Sequence, residues 1–236
     1  MNNLSINVFS GFSYEELLPL AHSAGFNAFF SDHEEALSLE KMREIKKIAT
    51  ENNLEYETSH STIPGCTNLW IDSPKGNDYV DVLIRNIDNC AQLSIRTLVV
   101  HVQLDFGAES DFNFGIKRLQ QVVNYAQSKN VIIAFENINS SNYLYQTLEY
   151  FDSPNVGFCY DCGHEKCYTP RAEITMIYKY EESKPVWINF ENPKGAKGCG
   201  GLENLGAKGH AFEHFKAGEK KSFVIFKAAE SYEEYG

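Results

Sequence analysis

The sequence predicts an α/β fold, an incomplete (β/α)8 barrel of about six strand–helix units followed by an irregular, β-containing C-terminal tail. Three observations predict it. Short apolar runs alternate with helix-period patterns from residue 4 to residue 161, the mark of βαβ units and a parallel sheet. Runs such as TLVV (97–100) and VIIAF (131–135) are apolar on both faces, as expected of parallel strands covered by helices. Polar, chemically capable residues end nearly every strand: Asp32, His60, His101, Glu136 and Asp161. A doubly wound sheet satisfies the first two observations equally. The third favours a barrel, which builds its site at the C-terminal face from several strands.

The elements follow in order. LSINVF (4–9) reads as a strand, and SYEELLPLAHSAG (13–25) as a helix that Ser13 and Glu16 can start with a capping box and Gly25 can end. NAFFSD (27–32) is the second strand. LSLEKMREIKKIATENN (37–53) is an amphipathic helix with Leu37, Met42, Ile45 and Ile48 along one stripe. LEYETSHS (54–61) is the third strand, and residues 62–77 form a long loop rich in Pro, Gly and Asn. A helix over 78–93 leads to the strand RTLVVHV (96–102), and a helix over 112–130 to the strand VIIAFEN (131–137). NYLYQTLEYF (142–151) is the last clear helix and NVGFCYD (155–161) the sixth strand. Beyond about residue 170 the rhythm stops. VWINF (186–190) and SFVIF (222–226) are the candidates for further strands, with no convincing helix between them.

Composition narrows the function classes. The 236 residues carry a formal net charge of −11, with 32 acidic against 21 basic residues, which disfavours a nucleic-acid partner and suits neutral small molecules and metal cations. The N-terminus lacks a secretory pattern, and no apolar window is long enough for a membrane span, so a cytoplasmic protein with reduced cysteines is expected.

Glu136 and Asp161 each follow an apolar run on neighbouring strands. A carboxylate in that position needs a partner, either a divalent cation or a backbone amide or Arg. His164, three residues after Asp161, can face the same pocket and ligate metal or bind a substrate hydroxyl; the alternative is a packed histidine at a helix start. His60 and His101 end strands at matching positions. Cys159, Cys162, His164 and Cys167 permit a zinc reading, but Cys159 lies inside an apolar run, where a buried thiol is the simpler role. His210 and His214 bracket Glu213 in the tail and read as solvated. There is no G-x-G-x-x-G after a strand, no P-loop and no G-x-S-x-G.

Together AFEN (134–137), VGFCYDCGH (156–164), TLVVHV (97–102) and SHST (59–62) resemble the xylose-isomerase-like TIM-barrel superfamily, which contains sugar isomerases, epimerases and endonuclease IV. The resemblance covers about residues 1–170, and the partial barrel is set at 1–172. It implies a metal-dependent sugar or sugar phosphate isomerase or epimerase, working by proton transfer through an enediolate. Glu136 and Asp161 would hold the metal, Glu136 and His164 would be catalytic, and His60, His101 and His164 would line the substrate pocket. Mn²⁺, Mg²⁺ or Co²⁺ is the implied cofactor, with Zn²⁺ the weaker candidate. The family takes a further histidine from its seventh strand and a glutamate from its eighth, and this chain supplies neither at the expected place. Its tail (173–236) is similar instead to the N-terminal segment of an unrelated glycoside hydrolase family. The alternatives are therefore a catalytically inactive sugar-binding or composite protein, possible as a homo-oligomer that covers the open sheet edges, and an abasic-site endonuclease.

Overall fold

The computed structural model describes residues 4–7, 13–32, 36, 38–102, 110–138, 141–161, 186–190 and 211–215, with residues 4, 141, 142, 186–190 and 211–215 described as backbone only. The elements are β1 (Leu4–Asn7), α1 (Tyr14–Ser23), β2 (Ala28–Ser31), α2 (Leu39–Glu51), β3 (Glu55–His60), α3 (Pro74–Gln92), β4 (Thr97–His101), α4 (Phe112–Ser128), β5 (Ile132–Glu136), α5 (Ser141–Tyr150), β6 (Val156–Asp161), β7 (Val186–Phe190) and β8 (Ala211–Phe215). Strands β1 to β6 pair in chain order, all parallel. The predicted alternation therefore holds through six strands.

Two further strands close the ring. β7 pairs parallel to β6, and β8 pairs antiparallel to both β7 and β1. Among the described residues no helix follows β6, and β8 runs against its neighbours, so the pair does not supply two more strand–helix units. The predicted strand 186–190 is β7. The other candidate, 222–226, and the division at 172/173 lie outside the described residues.

The first helix starts as its sequence dictates. The Ser13 hydroxyl accepts from the Glu16 amide (3.2 Å), and the Glu16 carboxylate accepts from the Ser13 amide (2.9 Å). Gly25, at φ 96°, takes the left-handed turn that follows. On α2 the buried stripe is Met42, Ile45 and Ala49, with Ile48 half-buried at its edge. α3 begins at Pro74 rather than Asp78, because proline is preformed for the first turn and its missing N–H needs no partner there.

Two apolar layers result. The larger lies between sheet and helices and includes Leu18, Phe29, Met42, Leu83, Leu119, Val122, Phe135 and Phe158. The smaller lies inside the barrel: Phe30, Val99, Ala134 and Cys159. Side chains two apart on a strand share a face, so His101 and Glu136 follow Val99 and Ala134 into the lumen.

The predicted loop 62–77 is ordered by one residue of α4. A 3-10 helix runs from Cys66 to Trp70. Arg118, buried, donates to the carbonyls of Asn68 (3.1 Å), Leu69 (2.7 Å), Ile71 (2.7 Å) and Ser73 (2.8 Å), and to Asn77 Oδ1 (3.1 Å). The guanidinium thus adds a donor to each carbonyl at the end of that short helix, beside the backbone N–H groups of Ile71, Ser73 and Gly76 that bond the carbonyls of Asn68, Ile71 and Ser73. Gly76 leaves room for it: a Cβ there would stand 2.3 Å from the guanidinium carbon.

Arg118→Met keeps much of the side-chain volume but removes the guanidinium donor from all four carbonyls, leaving those of Asn68, Ile71 and Ser73 with one backbone N–H each. It should destabilise the fold by at least about 2 kcal/mol. Urea unfolding followed by circular dichroism checks this; an unchanged midpoint would refute the capping role.

Candidate functional site

The ends of β3, β4 and β5 bring three side chains to one point. Glu136 Oε2 lies 2.6 Å from His101 Nε2 and 3.1 Å from His60 Nε2, and the two Nε2 atoms are 3.2 Å apart. Backbone register explains the convergence: His101 pairs with Glu136, while His60 pairs with Val99, one inward position earlier on β4. The imidazole rings meet edge to face at 4.7 Å. Glu136 and His101 are almost fully buried, and the His60 side chain is 16% exposed, which leaves the site an opening to solvent on that side.

Hydrogen-bond partners constrain the protons of His60. His60 Nδ1 lies 2.8 Å from the Ser61 carbonyl, which only accepts, so Nδ1 carries a proton. Nε2 faces the Glu136 carboxylate, which also only accepts while ionised. Burial, the largest influence on His60, opposes its charge. The hydrogen bond and charge of Glu136, then the charge of Asp32 and the Ser61 carbonyl, outweigh it and hold the His60 pKa above the usual 6.5.

The same arrangement fits a cation. Ligands bound to one ion at about 2.0–2.2 Å stand about 2.8–3.6 Å from one another, depending on the angle between them. Two of the three separations here, 3.1 and 3.2 Å, fall in that range, and the three donor atoms form the group that can hold a metal among the described residues. The Nδ1–H bond from His60 to the Ser61 carbonyl is the outer contact that fixes a ligating histidine's tautomer and leaves Nε2 to the ion.

The sequence-predicted residues separate accordingly. Glu136, His60 and His101 meet. Asp161 ends β6, fully buried, on the strand beside Glu136, and its carboxylate is not one of the three grouped ligands. Its backbone is clamped by Asn137: the Asn137 amide donates to the Asp161 carbonyl (2.8 Å), and Asn137 Oδ1 accepts from the Asp161 N–H (2.7 Å). His164, Cys162, Cys167 and His210 lie outside the described residues, and His214 lies on β8. Of the cysteines, Cys66, Cys90 and Cys159 are buried thiols. Cys159 contacts Glu136 Oε1 at 3.5 Å, a role its position in an apolar run did not reveal. Asn137 was legible only as the last letter of AFEN.

A family model described as xylose isomerase-like TIM barrel matches residues 18–217. Among solved structures, 3-keto-D-glucoside 4-epimerase YcjR from E. coli superposes with a TM-score of 0.65 at 13% identity, covering 97% of this chain and 87% of that one. D-allulose 3-epimerase from Methylomonas sp. gives 0.61 at 17% identity, covering 89% and 83%. A D-psicose 3-epimerase gives 0.56 at 14%, covering 69% of this chain; the present chain spans only 62% of its length. These identities establish the fold. No protein with a curated description matches the sequence. No helix among the described residues is long and apolar enough to cross a membrane.

The His60–Glu136 pair has a definite pH signature. A raised histidine pKa adds stability that is fully present below 6.5 and is lost as pH rises through the folded-state value. Metal-free protein should therefore lose thermal stability on titration upward through that window, and His60→Gln should flatten the profile. Thermal unfolding in the presence of chelator reads it. Stability rising with pH across the window would rule out the charged pair.

Proposed function

Because the chain belongs to the xylose isomerase-like TIM barrel family, we propose that it is a metal-dependent sugar epimerase or isomerase. The observation that carries this reading is the cluster of His60, His101 and Glu136 at the C-terminal ends of three barrel strands. That is the face where barrels build their sites. The structural neighbours' names point the same way, since they are 3- and 4-epimerases of sugars.

The three residues would hold the cation through two imidazole nitrogens and one carboxylate oxygen. Two imidazoles suit Mn²⁺, Co²⁺ or Zn²⁺ better than Mg²⁺, which prefers all-oxygen sites. When bound, the ion supplies a Lewis acid that polarises a sugar carbonyl. The remaining steps belong to the chain. Glu136 Oε1, on the side away from the histidines and in contact with the Cys159 thiol, accepts the proton from the carbon next to the carbonyl. The resulting enediolate is reprotonated at the neighbouring carbon for isomerisation, or by a second acid on the opposite face of the same carbon for epimerisation. Asp161 and His164, C-terminal on β6 and just beyond it, complete the metal and substrate contacts in this proposal. A neutral sugar or sugar phosphate is the substrate class.

The donor set also supports a second reading, since in endonuclease IV histidines at the corresponding strand ends bind zinc. The net charge of −11 works against phosphodiester approach. A nicking assay on abasic duplex separates the two.

The main test is turnover of a panel of ketoses and their phosphates by metal-loaded protein, before and after chelation. Activity should vanish with chelator and return with Mn²⁺, Co²⁺ or Zn²⁺. Glu136→Gln should lose the bound metal and at least about 100-fold in turnover. Chelator-resistant activity, or full activity of Glu136→Gln, would overturn the reading.

A further inference from the structure

Trp70 occupies a position in the β3–α3 connection that the proposed chemistry does not use. It is fully buried, yet it comes from a loop that sequence marks as rich in Pro, Gly and Asn. Its indole N–H donates to the Val102 carbonyl at 2.6 Å. Val102 directly follows His101. The Trp70 carbonyl accepts from the Asp111 N–H at 2.7 Å, and Asp111 is the N-cap of α4. One residue therefore bonds both ends of the β4–α4 connection, through its side chain at the start and its backbone at the finish.

The rest of the surroundings hold Trp70 itself still. Its ring stacks on Tyr143 of α5 (4.5 Å, 21°) and on Phe112 of α4 (5.7 Å, 21°). The Tyr143 hydroxyl bonds Ser110 Oγ at 2.8 Å, beside Asp111. Gly115 makes room, since a Cβ there would lie 1.9 Å from the indole. Arg118 holds the carbonyls of Asn68, Leu69 and Ile71 on either side. A buried indole N–H needs an acceptor, but a partner on any strand or helix would satisfy it. Here the acceptor is the carbonyl next to a residue of the metal group.

We infer that Trp70 is a positioning residue for the metal centre: its N–H bond to Val102 holds the end of β4 so that His101 Nε2 meets Glu136. The inference rests on the reading of His101 as a metal ligand. Outer contacts of this kind fix a ligand's orientation, and their loss typically lowers metal affinity about 10–100-fold. Trp70 acts through the backbone rather than through the imidazole, so the lower end applies.

The test titrates Co²⁺ alone into the full chain and follows its visible absorption. Trp70→Phe retains an aromatic ring for stacking and removes the N–H. Site-specific incorporation of 3-benzothienylalanine at position 70 replaces only N–H by sulfur, and decides the matter if the Phe variant does not fold. Leu148→Ala, a buried site on α5, controls for general loosening. Both Trp70 replacements should bind Co²⁺ about tenfold more weakly than wild type, with altered band positions, while Leu148→Ala binds normally. Wild-type affinity in the benzothienyl protein overturns the inference, as does an equal loss in Leu148→Ala. A wild-type chain that binds no Co²⁺ overturns the metal centre itself, and the positioning role with it, so the two failures are told apart.

Discussion

The site is organised around one electrostatic constraint, the charge of Glu136 inside the barrel. Removing a carboxylate from water costs on the order of several kcal/mol even after relaxation, and a single neutral hydrogen bond returns only about 1 kcal/mol. The Cys159 thiol, a weak donor 3.5 Å away, cannot offset that cost. The charge therefore requires cationic partners, and the fold places two histidines within 3.1 Å of Oε2. A protonated His60 would meet the requirement, and so would a divalent ion. Both would use the same three atoms, so proton and metal would compete for one place.

The sheet makes the meeting geometrically cheap. In a parallel barrel, residues in register share a face, and inward positions recur every second residue. Three adjacent strands ending within one step of each other thus aim their last inward side chains at one spot. Below them Val99 and Ala134 pack with Phe30 and Cys159 in an apolar layer, which lowers the local dielectric and strengthens the cluster above. On the outer side, Asn86 and Asn89 of α3 both donate to the Ala36 carbonyl (3.0 and 2.8 Å), and Asn86 Oδ1 accepts from the Thr62 N–H (3.2 Å). The β2–α2 and β3–α3 connections are thereby tied to one helix beside His60.

Much of this was legible in the residues. Ser13 and Glu16 announce a helix start because capping needs only local atoms. The double-sided apolarity of residues 97–100 and 131–135 announces buried parallel strands because burial on two faces leaves no room for polar alternation. The strand-end positions of His60, His101 and Glu136 were visible for the same reason. Their division of labour was not. Spacing left Glu136 and Asp161 each with a cation or an amide or Arg as partner, and only the family resemblance placed the histidines in the substrate pocket. In the structure the His60 and His101 imidazoles lie within 3.1 Å of Glu136 Oε2, and that contact depends on register across β3, β4 and β5, which a linear sequence does not state.

The sequence by itself determined the order of strands and helices through β6, the caps, the buried stripes and the candidate ligands, since each follows from contacts within a few residues or from periodicity. Tertiary structure alone decided three things. It paired residues 186–190 and 211–215 with β6 and β1 to close the ring, a choice made by sheet edges seeking hydrogen-bond partners. It turned the 62–77 loop into a scaffold, because Arg118, some fifty positions away, caps that loop's carbonyls. And it brought residues 60, 101 and 136 to within 3.2 Å of one another, because only a closed barrel makes the ends of successive strands neighbours across a shared interior.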